Sequence, residues 1–195
     1  MRVRSLDTGV PESNQSFRRR VLSDAQLLRA IYSNWDFTQA LSALIFLSEE
    51  CDFSAKYNHI ELRRFRCYET SAIISFSRPF EKSRKATTLG LKAIGLSLTS
   101  DELALKDKIL NLRRRAVAHS DEEFMHFRGG TLQPFDDSAV RMPYFTYSES
   151  LHLEPQDIHA LENLLRKLIH AISLAIFSIA QSAPHRLERY QRPLA

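Results

Sequence analysis

Apolar residues recur at helical spacing along four long stretches of the chain, and polar or proline residues mark their ends. The first stretch begins at Ser23, which is followed three positions later by Gln26 in the pattern of a capping box. Acidic residues at 49–52 mark its end. Its apolar face comprises Leu27, Leu28, Ile31, Trp35, Phe37, Leu41, Leu44, Ile45 and Leu47. This pattern predicts a first core helix.

A second helix is predicted over about 58–77, where Pro79 stops it. Its apolar positions are Ile60, Leu62, Phe65, Tyr68, Ala72, Ile73 and Phe76. Glu69, Ser75 and Arg78 are polar residues on or beside this face. Ordinary surface or helix-end positions are favoured for each of them over contact with a partner.

The segment 81–98 is a basic connector with a short predicted helix. A second capping box, Thr99 with Glu102, opens a third helix that carries its apolar face as far as Val117 and ends near His119. Pro155 suits the first turn of a final helix, which keeps helical spacing until Pro184.

The stretch 122–153 has a different pattern, with short aromatic and β-branched runs on either side of turn residues. It is predicted to form a β-hairpin or a long structured loop. Phe124, Phe127, Tyr144, Phe145 and Tyr147 interleave there with His126, Arg128 and Arg141. This is the composition of a base-stacking surface, although packing of the aromatics on the bundle is the favoured interpretation.

These elements predict an all-α fold, a bundle of four to five long helices with a small β-hairpin or structured-loop insertion before the last helix. The predicted divisions are a flexible basic arm at 1–22, a helical domain at 23–183 with its insertion at 122–153, and a polar tail at 184–195. The arm contains Arg18-Arg19-Arg20, which is favoured as a solvated charge run over a nucleic-acid contact.

Composition agrees with a packed globule, since hydrophobic residues make up 44% and the chain has 5 Gly and 7 Pro. The net charge of +4 permits an anionic partner without requiring one. Cys51 and Cys67 are the two cysteines, and their spacing fits neither a disulfide framework nor a zinc site. The sequence near Met1 lacks the apolar region of a signal peptide, and charges interrupt the apolar stretch 164–180, so a cytoplasmic protein without a membrane span is expected.

The stretch 112–121 carries the clearest candidate chemistry, because three consecutive arginines precede His119. On an α-helix, which turns about 100° per residue, Arg115 and His119 share a face. The guanidiniums and the imidazole are then expected to converge on one phosphate. A more ordinary alternative is that the cations interact with the negative end of the helix dipole.

The string Leu112-Arg113-Arg114-Arg115-Ala116-Val117-Ala118-His119-Ser120-Asp121 resembles the signature of HEPN domains, particularly those of bacterial abortive-infection and toxin modules. The segment 73–81 is also similar to the penultimate helix of such proteins, and the resemblance covers residues 24–183. It implies a HEPN-like bundle and metal-independent endoribonuclease activity in stress response or phage defence. It also implies a homodimer with a composite active site, RNA as the substrate, an antitoxin or regulatory partner, and no cofactor.

In that resemblance, His119 is the general acid and base, and Arg113 or Arg114 stabilises charge on the phosphoryl oxygens. The candidate substrate-binding residues are Arg115, Asp121, Arg78 and Arg128. Both Arg113 and Arg114 satisfy the family spacing to His119, and the Leu and Ala-His ends of the string favour Arg113.

Two alternatives stay open at this point. Arg114 stands where an Asn or Asp is common in the family, and an arginine cannot accept hydrogen bonds, which favours a non-catalytic module that binds RNA, a nucleotide or a protein. A metal site is a weaker possibility for His119, Asp121, Glu122, Glu123 and His126, since their spacing matches no recognised ligand pattern. P-loop, HExxH, GxSxG and dinucleotide motifs are absent from the sequence.

Overall fold

The computed structural model of the chain describes residues 22–82, 87–117, 127–135, 139–147 and 149–188. The long helices are α1 (Asp24–Glu50), α2 (His59–Ser77), α3 (Ser100–Leu112) and α4 (Pro155–Ser182), and a short helix α5 (His185–Glu188) follows. An antiparallel hairpin of β1 (Phe127–Leu132) and β2 (Met142–Tyr147) precedes α4. The predictions of a mainly helical fold and of a hairpin before the last long helix are confirmed.

Local signals place the helix starts. At Ser23 the side chain accepts from the Gln26 backbone while the Gln26 side chain accepts from the Ser23 backbone, and Thr99 and Glu102 do the same at α3. Both predicted capping boxes are therefore present. A third box, Asn58 with Glu61, starts α2, and Pro155 is the first residue of α4.

Helix α1 lies between α2 and α4 and runs antiparallel to both. Its end is tied to α2 by the ion pair of Glu50 with Arg64 at 3.1 Å, and to α4 by a hydrogen bond from Ser48 to Glu162 at 3.0 Å. Helix α3 packs against α2 and α4, and its Glu102 accepts from Lys167 at 2.8 Å. Residues 113–117, which follow α3 directly, also contact α2.

Three aromatic rings pack together where α1 meets the end of α2. They belong to Phe37, Phe76 and Phe80, and their centroids lie 5.4–6.0 Å apart. Phe80 belongs to a 3₁₀ turn, Arg78–Phe80, in which Pro79 ends the α-helix as predicted. A second 3₁₀ turn, Leu91–Ile94, is the short helix expected in the connector.

Three residues assigned to buried helix faces are exposed: Trp35, Ile60 and Leu103. Ile60 is the clearest case, since 79% of it is accessible, and 65% of Trp35 is accessible. A wide apolar stripe shows that a helix is amphipathic, but neighbouring helices cover only part of the stripe.

Among the described helices, α4 is long and apolar enough to cross a membrane by length and composition, a weak signal that core helices of soluble proteins also give. Its residues Leu161, Leu165 and Leu168 are completely buried in the bundle. Leu174 and Phe177, however, are 55% and 62% exposed. The expectation of a buried helix therefore holds for one side of α4 only.

The chain from residue 184 onward was expected to be a polar tail, and the structure shows a short helix, α5, up to residue 188. Arg186 on α5 donates to the Leu22 carbonyl at 2.6 Å and pairs with Asp24 at 2.8 Å. The tail is thus tied to the start of α1. The arm at 1–21 and residues 189–195 lie outside the described residues.

Candidate nucleic-acid site

The arginine triplet lies on a π-helical turn, Arg113–Val117, that continues directly from α3. A π-helix closes hydrogen bonds between residues five apart, and such turns occur frequently at functional sites. The prediction that Arg115 shares a face with His119 assumed α-helical geometry, and that assumption is wrong over this turn. His119 lies outside the described residues.

Arg113 is oriented toward the end of α2. Its Nε lies 3.2 Å from Oε2 of Glu81, and both side chains are half-buried. Glu81 reaches this position because the chain leaves α2 through the 3₁₀ turn at Pro79 and passes beside the end of α3. The pair fixes the direction of the Arg113 guanidinium.

The side chain of Arg114 has a different partner from that of Arg113. It is exposed, and its Nε donates to the carbonyl of Leu110, one turn back on its own helix, at 3.1 Å. This is the ordinary role of a cation at a helix end. Arg115 is half-buried. The three guanidiniums were expected to converge on one ligand, but Arg113 and Arg114 have separate partners.

Arg78, a predicted substrate-binding residue, belongs to a second polar cluster next to this pair. Its Nη1 lies 3.5 Å from Oδ1 of Asp36, and its carbonyl accepts from Nη2 of Arg29. Burial raises the pKa of Asp36, while hydrogen bonding and charge from Arg78 and the charge of Arg29 act in the opposite direction. Arg78 and Glu81 stand three positions apart, so the two clusters are neighbours along one short segment.

Sequence reasoning did not identify Arg29, Asp36 or Glu81 as site residues. A usable signal existed in α1, because Ser33 and Asp36 interrupt its apolar face at helical spacing. Ser33 is buried and donates to the Arg29 carbonyl at 2.7 Å. Glu81 carried no comparable signal, since its role depends on how α2 and α3 pack.

Arg128 lies on β1 and is exposed, and in the described part of the chain no contact joins it to Arg113, Arg114 or Arg78. The predicted packing of the strand aromatics on the bundle is wrong for Phe127, Tyr144, Phe145 and Tyr147, all of which are exposed. The strands pair with each other and present both faces to solvent. Phe124 and His126 lie outside the described residues.

Asp121 also lies outside the described residues, as do all five members of the alternative metal set. Within the part of the chain that the structure describes, no group of three or more histidine, cysteine or acidic side chains is arranged to hold a metal ion.

Glu69 and Ser75 were expected at surface or helix-end positions, and both are buried. Glu69 is 1% exposed, and its Oε1 accepts from the backbone N–H groups of His152 and Leu153, each at 2.7 Å. Oε2 is buried and has no hydrogen-bond partner among the described residues. Burial raises the pKa of Glu69 to about 7, although the two backbone donors act in the opposite direction.

Glu69 holds the segment between the hairpin and α4, together with a second contact from α2. Glu149, directly before that segment, accepts from Nη2 of Arg63 at 2.7 Å and from Nε at 3.0 Å. These hydrogen bonds lower the pKa of Glu149. Helix α2 thus fixes where the chain leaves the hairpin.

Comparison with protein-family models, with curated proteins and with solved structures finds no match to this chain.

Proposed function

We propose that this protein is a metal-independent endoribonuclease of HEPN type. The observation that carries the proposal is the string 112–121, which begins on a π-helical turn where Glu81 holds Arg113 beside the end of α2. Because Arg114 is engaged with its own helix, Arg113 is the better candidate for the arginine that acts on phosphate. This agrees with the residue that the resemblance favours.

In the proposed reaction, His119 takes the proton of a ribose 2′-hydroxyl, and that oxygen attacks the adjacent phosphorus. The bond from phosphorus to the 5′-oxygen breaks, and the leaving oxygen receives a proton from the imidazolium that His119 has become. The products are a 2′,3′-cyclic phosphate and a 5′-hydroxyl. Arg113 stabilises the charge that develops on the phosphoryl oxygens, for which its planar and permanently charged fork is suited.

The test is cleavage of labelled total RNA and tRNA by the purified protein in EDTA. We expect cyclic-phosphate ends in EDTA, and their loss in His119→Ala. His159→Ala, which removes an exposed histidine of α4, is the matched control and should cleave like wild type. Cleavage that stops in EDTA contradicts the metal-independent mechanism, and equal cleavage by His119→Ala contradicts the assignment of this residue.

A non-catalytic module that binds RNA, a nucleotide or a protein is the second candidate. Glu81 favours it, because a carboxylate 3.2 Å from Arg113 competes with phosphate for that guanidinium. Absence of cleavage, together with RNA retention that Arg113→Ala abolishes, would favour this candidate. A cytoplasmic location, a role in stress response or phage defence, and control by an antitoxin or other regulatory protein are further parts of the proposal that rest on the resemblance.

We further propose that two copies form a dimer in which each contributes to the active site. The support is the far side of the later part of α4, where Leu174 and Phe177 are exposed on a helical stretch, 171–180, that is apolar nearly all round. Helices of this kind are normally buried on all sides.

Light scattering should give a mass of about twice 22.5 kDa for the wild type. The double change Leu174→Asp and Phe177→Asp should reduce the mass to that of one chain, because it places charge in the apolar contact. Ile60→Asp changes an exposed apolar residue on α2 and should leave the dimer intact. If the wild-type protein has the mass of one chain, the proposal of a composite active site is contradicted, because that site needs two copies.

A further inference from the structure

We propose that one face of the hairpin, formed by Phe127, Phe145 and Tyr147 and here called the aromatic face, is a platform on which bases of single-stranded RNA stack. The inference deepens the proposed function, since it names the form of RNA that the protein takes. The observations that support it are the strand register, the glycines packed against the rings, the exposure of the rings and the charged residues of the hairpin.

The strand register places the three rings on one face. Phe127 pairs with Tyr147, and Gly129 pairs with Phe145, so these four residues share a side of the two-stranded sheet. The ring centroid of Phe127 lies 6.4 Å from that of Phe145 and 6.4 Å from that of Tyr147. The rings therefore form one continuous aromatic surface.

Glycines hold two of the hairpin rings in place. A Cβ added at Gly129 would lie 2.9 Å from Cε1 of Phe145, and one added at Gly130 would lie 2.8 Å from Cε1 of Tyr144. Each ring thus packs directly on a glycine backbone, and any other residue at that position would place its Cβ too close to the ring. The Phe145 ring is supported from behind, so little side-chain freedom is lost when a flat partner covers its outer side.

The aromatic face is open to solvent, with Phe127, Phe145 and Tyr147 exposed by 56%, 57% and 55%. Its other members, Gly129, Thr131 and Pro143, are small and present no long aliphatic side chain. An exposed aromatic surface without aliphatic side chains suits a nucleobase better than the interdigitating side chains of a protein interface. An isolated two-stranded hairpin is also marginally stable in water, so covering this face stabilises it.

Charge favours a polyanion as the occupant. The charged residues of the hairpin segment 127–147 that the structure describes are Arg128 and Arg141, both exposed, and Asp136 and Asp137 stand between the two strands in the sequence. Arg128 pairs with Thr146 on the opposite side of the sheet, whereas Arg141 stands two positions before Pro143 of the aromatic face, so Arg141 is the cation next to the platform where a phosphate would pass.

The platform is within reach of the proposed catalytic residue. Phe127 follows His119 by eight positions, which limits their Cα separation to about 29 Å. One RNA strand of moderate length spans that distance. Bases stacked on the aromatic face would then position a neighbouring phosphate for cleavage.

The test measures binding without cleavage, in a His119→Ala background, by fluorescence anisotropy with fluorescein-labelled single-stranded oligoadenylate. We expect Phe145→Leu and Tyr147→Leu each to weaken binding about tenfold, because leucine keeps apolar bulk but offers no ring to stack on. Tyr32→Leu, at an exposed ring on α1, is the matched control and should bind like the parent. An abasic oligomer of the same length should bind all these proteins with equal affinity.

A second measurement covers the case in which a leucine variant loses the hairpin. Tyr147→Trp combined with Trp35→Phe gives a protein with one tryptophan, placed on the platform. Its fluorescence should be quenched by oligoadenylate and not by the abasic oligomer. Unchanged affinity in both leucine variants, or equal quenching by the two oligomers, overturns the platform.

Failure of the platform and failure of the nuclease are distinguishable. If wild type does not cleave RNA but base-dependent binding is lost in Phe145→Leu, the platform stands and the nuclease does not. If the protein cleaves RNA while both leucine variants bind normally, the nuclease stands and the platform is overturned. If the leucine variants lose the dimer and not RNA affinity, the aromatic face binds protein and the platform is also overturned.

Discussion

Arg113→Ala is expected to lower the rate of RNA cleavage by about 100- to 1,000-fold, whereas Arg114→Ala should stay close to wild type. The physical reason is the different setting of the two guanidiniums. Arg113 is held by Glu81 at 3.2 Å beside the end of α2, while Arg114 donates to the Leu110 carbonyl of its own helix. Only the first is oriented by another element of the fold.

The measurement is single-turnover cleavage of one defined RNA at saturating protein, so that the rate reports chemistry and not binding. Arg113→Lys keeps the charge but loses the planar fork, and it should remain well below wild type. A larger loss in Arg114→Ala than in Arg113→Ala would reverse the assignment. If Arg113→Ala and Arg114→Ala both cleave as fast as wild type, neither arginine acts in the chemical step.

The second large effect is on stability, and it comes from Glu69. Its pKa is about 7 in the folded protein against 4.5 for an unperturbed carboxyl, so the folded state holds this proton more tightly than the unfolded state does. The stabilisation of the folded state that protonated Glu69 contributes is therefore fully present below pH 4.5 and is lost as pH rises to about 7. The loss amounts to about 3 kcal/mol in the free energy of unfolding.

His152 acts in the opposite direction. Burial and the charge of Arg66 lower its pKa below 6.5, so protonation of the unfolded chain costs stability as pH falls through that range. The pH profile of the wild type alone therefore mixes two groups. Subtracting the profile of Glu69→Gln isolates the carboxyl, since the glutamine cannot ionise but its oxygen can still accept from His152 and Leu153.

Denaturant unfolding from pH 5 to 8 checks this prediction. The difference between wild type and Glu69→Gln should change by about 2.5 kcal/mol across the range, with the glutamine variant gaining relative stability at high pH. Glu49→Gln, at an exposed carboxylate, is the matched control. Glu69→Ala should be less stable than Glu69→Gln at every pH, because two backbone N–H groups lose their acceptor. Parallel profiles for wild type and Glu69→Gln would contradict the assignment.

The helices were predictable because their signals are local. Apolar spacing, the capping boxes at Ser23 and Thr99, and the prolines at 79 and 155 act within one or two turns, and they place the starts of α1, α3 and α4 and the end of α2 correctly, whereas α3 ends at Leu112, before its predicted end. The hairpin was predictable for the same reason, from alternating aromatic runs on either side of turn residues. The environment of the hairpin was not, because an exposed aromatic and a buried one look alike in a sequence.

The candidate site was predictable only in part. The arginines and His119 stand out as residue types, but the π-turn at Arg113–Val117 and the partner of Arg113 do not. Glu81 meets Arg113 across 32 positions of sequence, and no local pattern encodes such a contact. The structure therefore distinguishes Arg113 from Arg114, which spacing alone left open.

The sequence by itself determined which four long segments are helical, where each of them starts, and that a hairpin precedes the last of them. Tertiary structure decided which side of each helix is covered, and so it left Trp35 in solvent and buried Glu69. The reason is that helix formation depends on neighbours a few positions away, whereas burial and pKa depend on groups that packing brings together from distant parts of the chain.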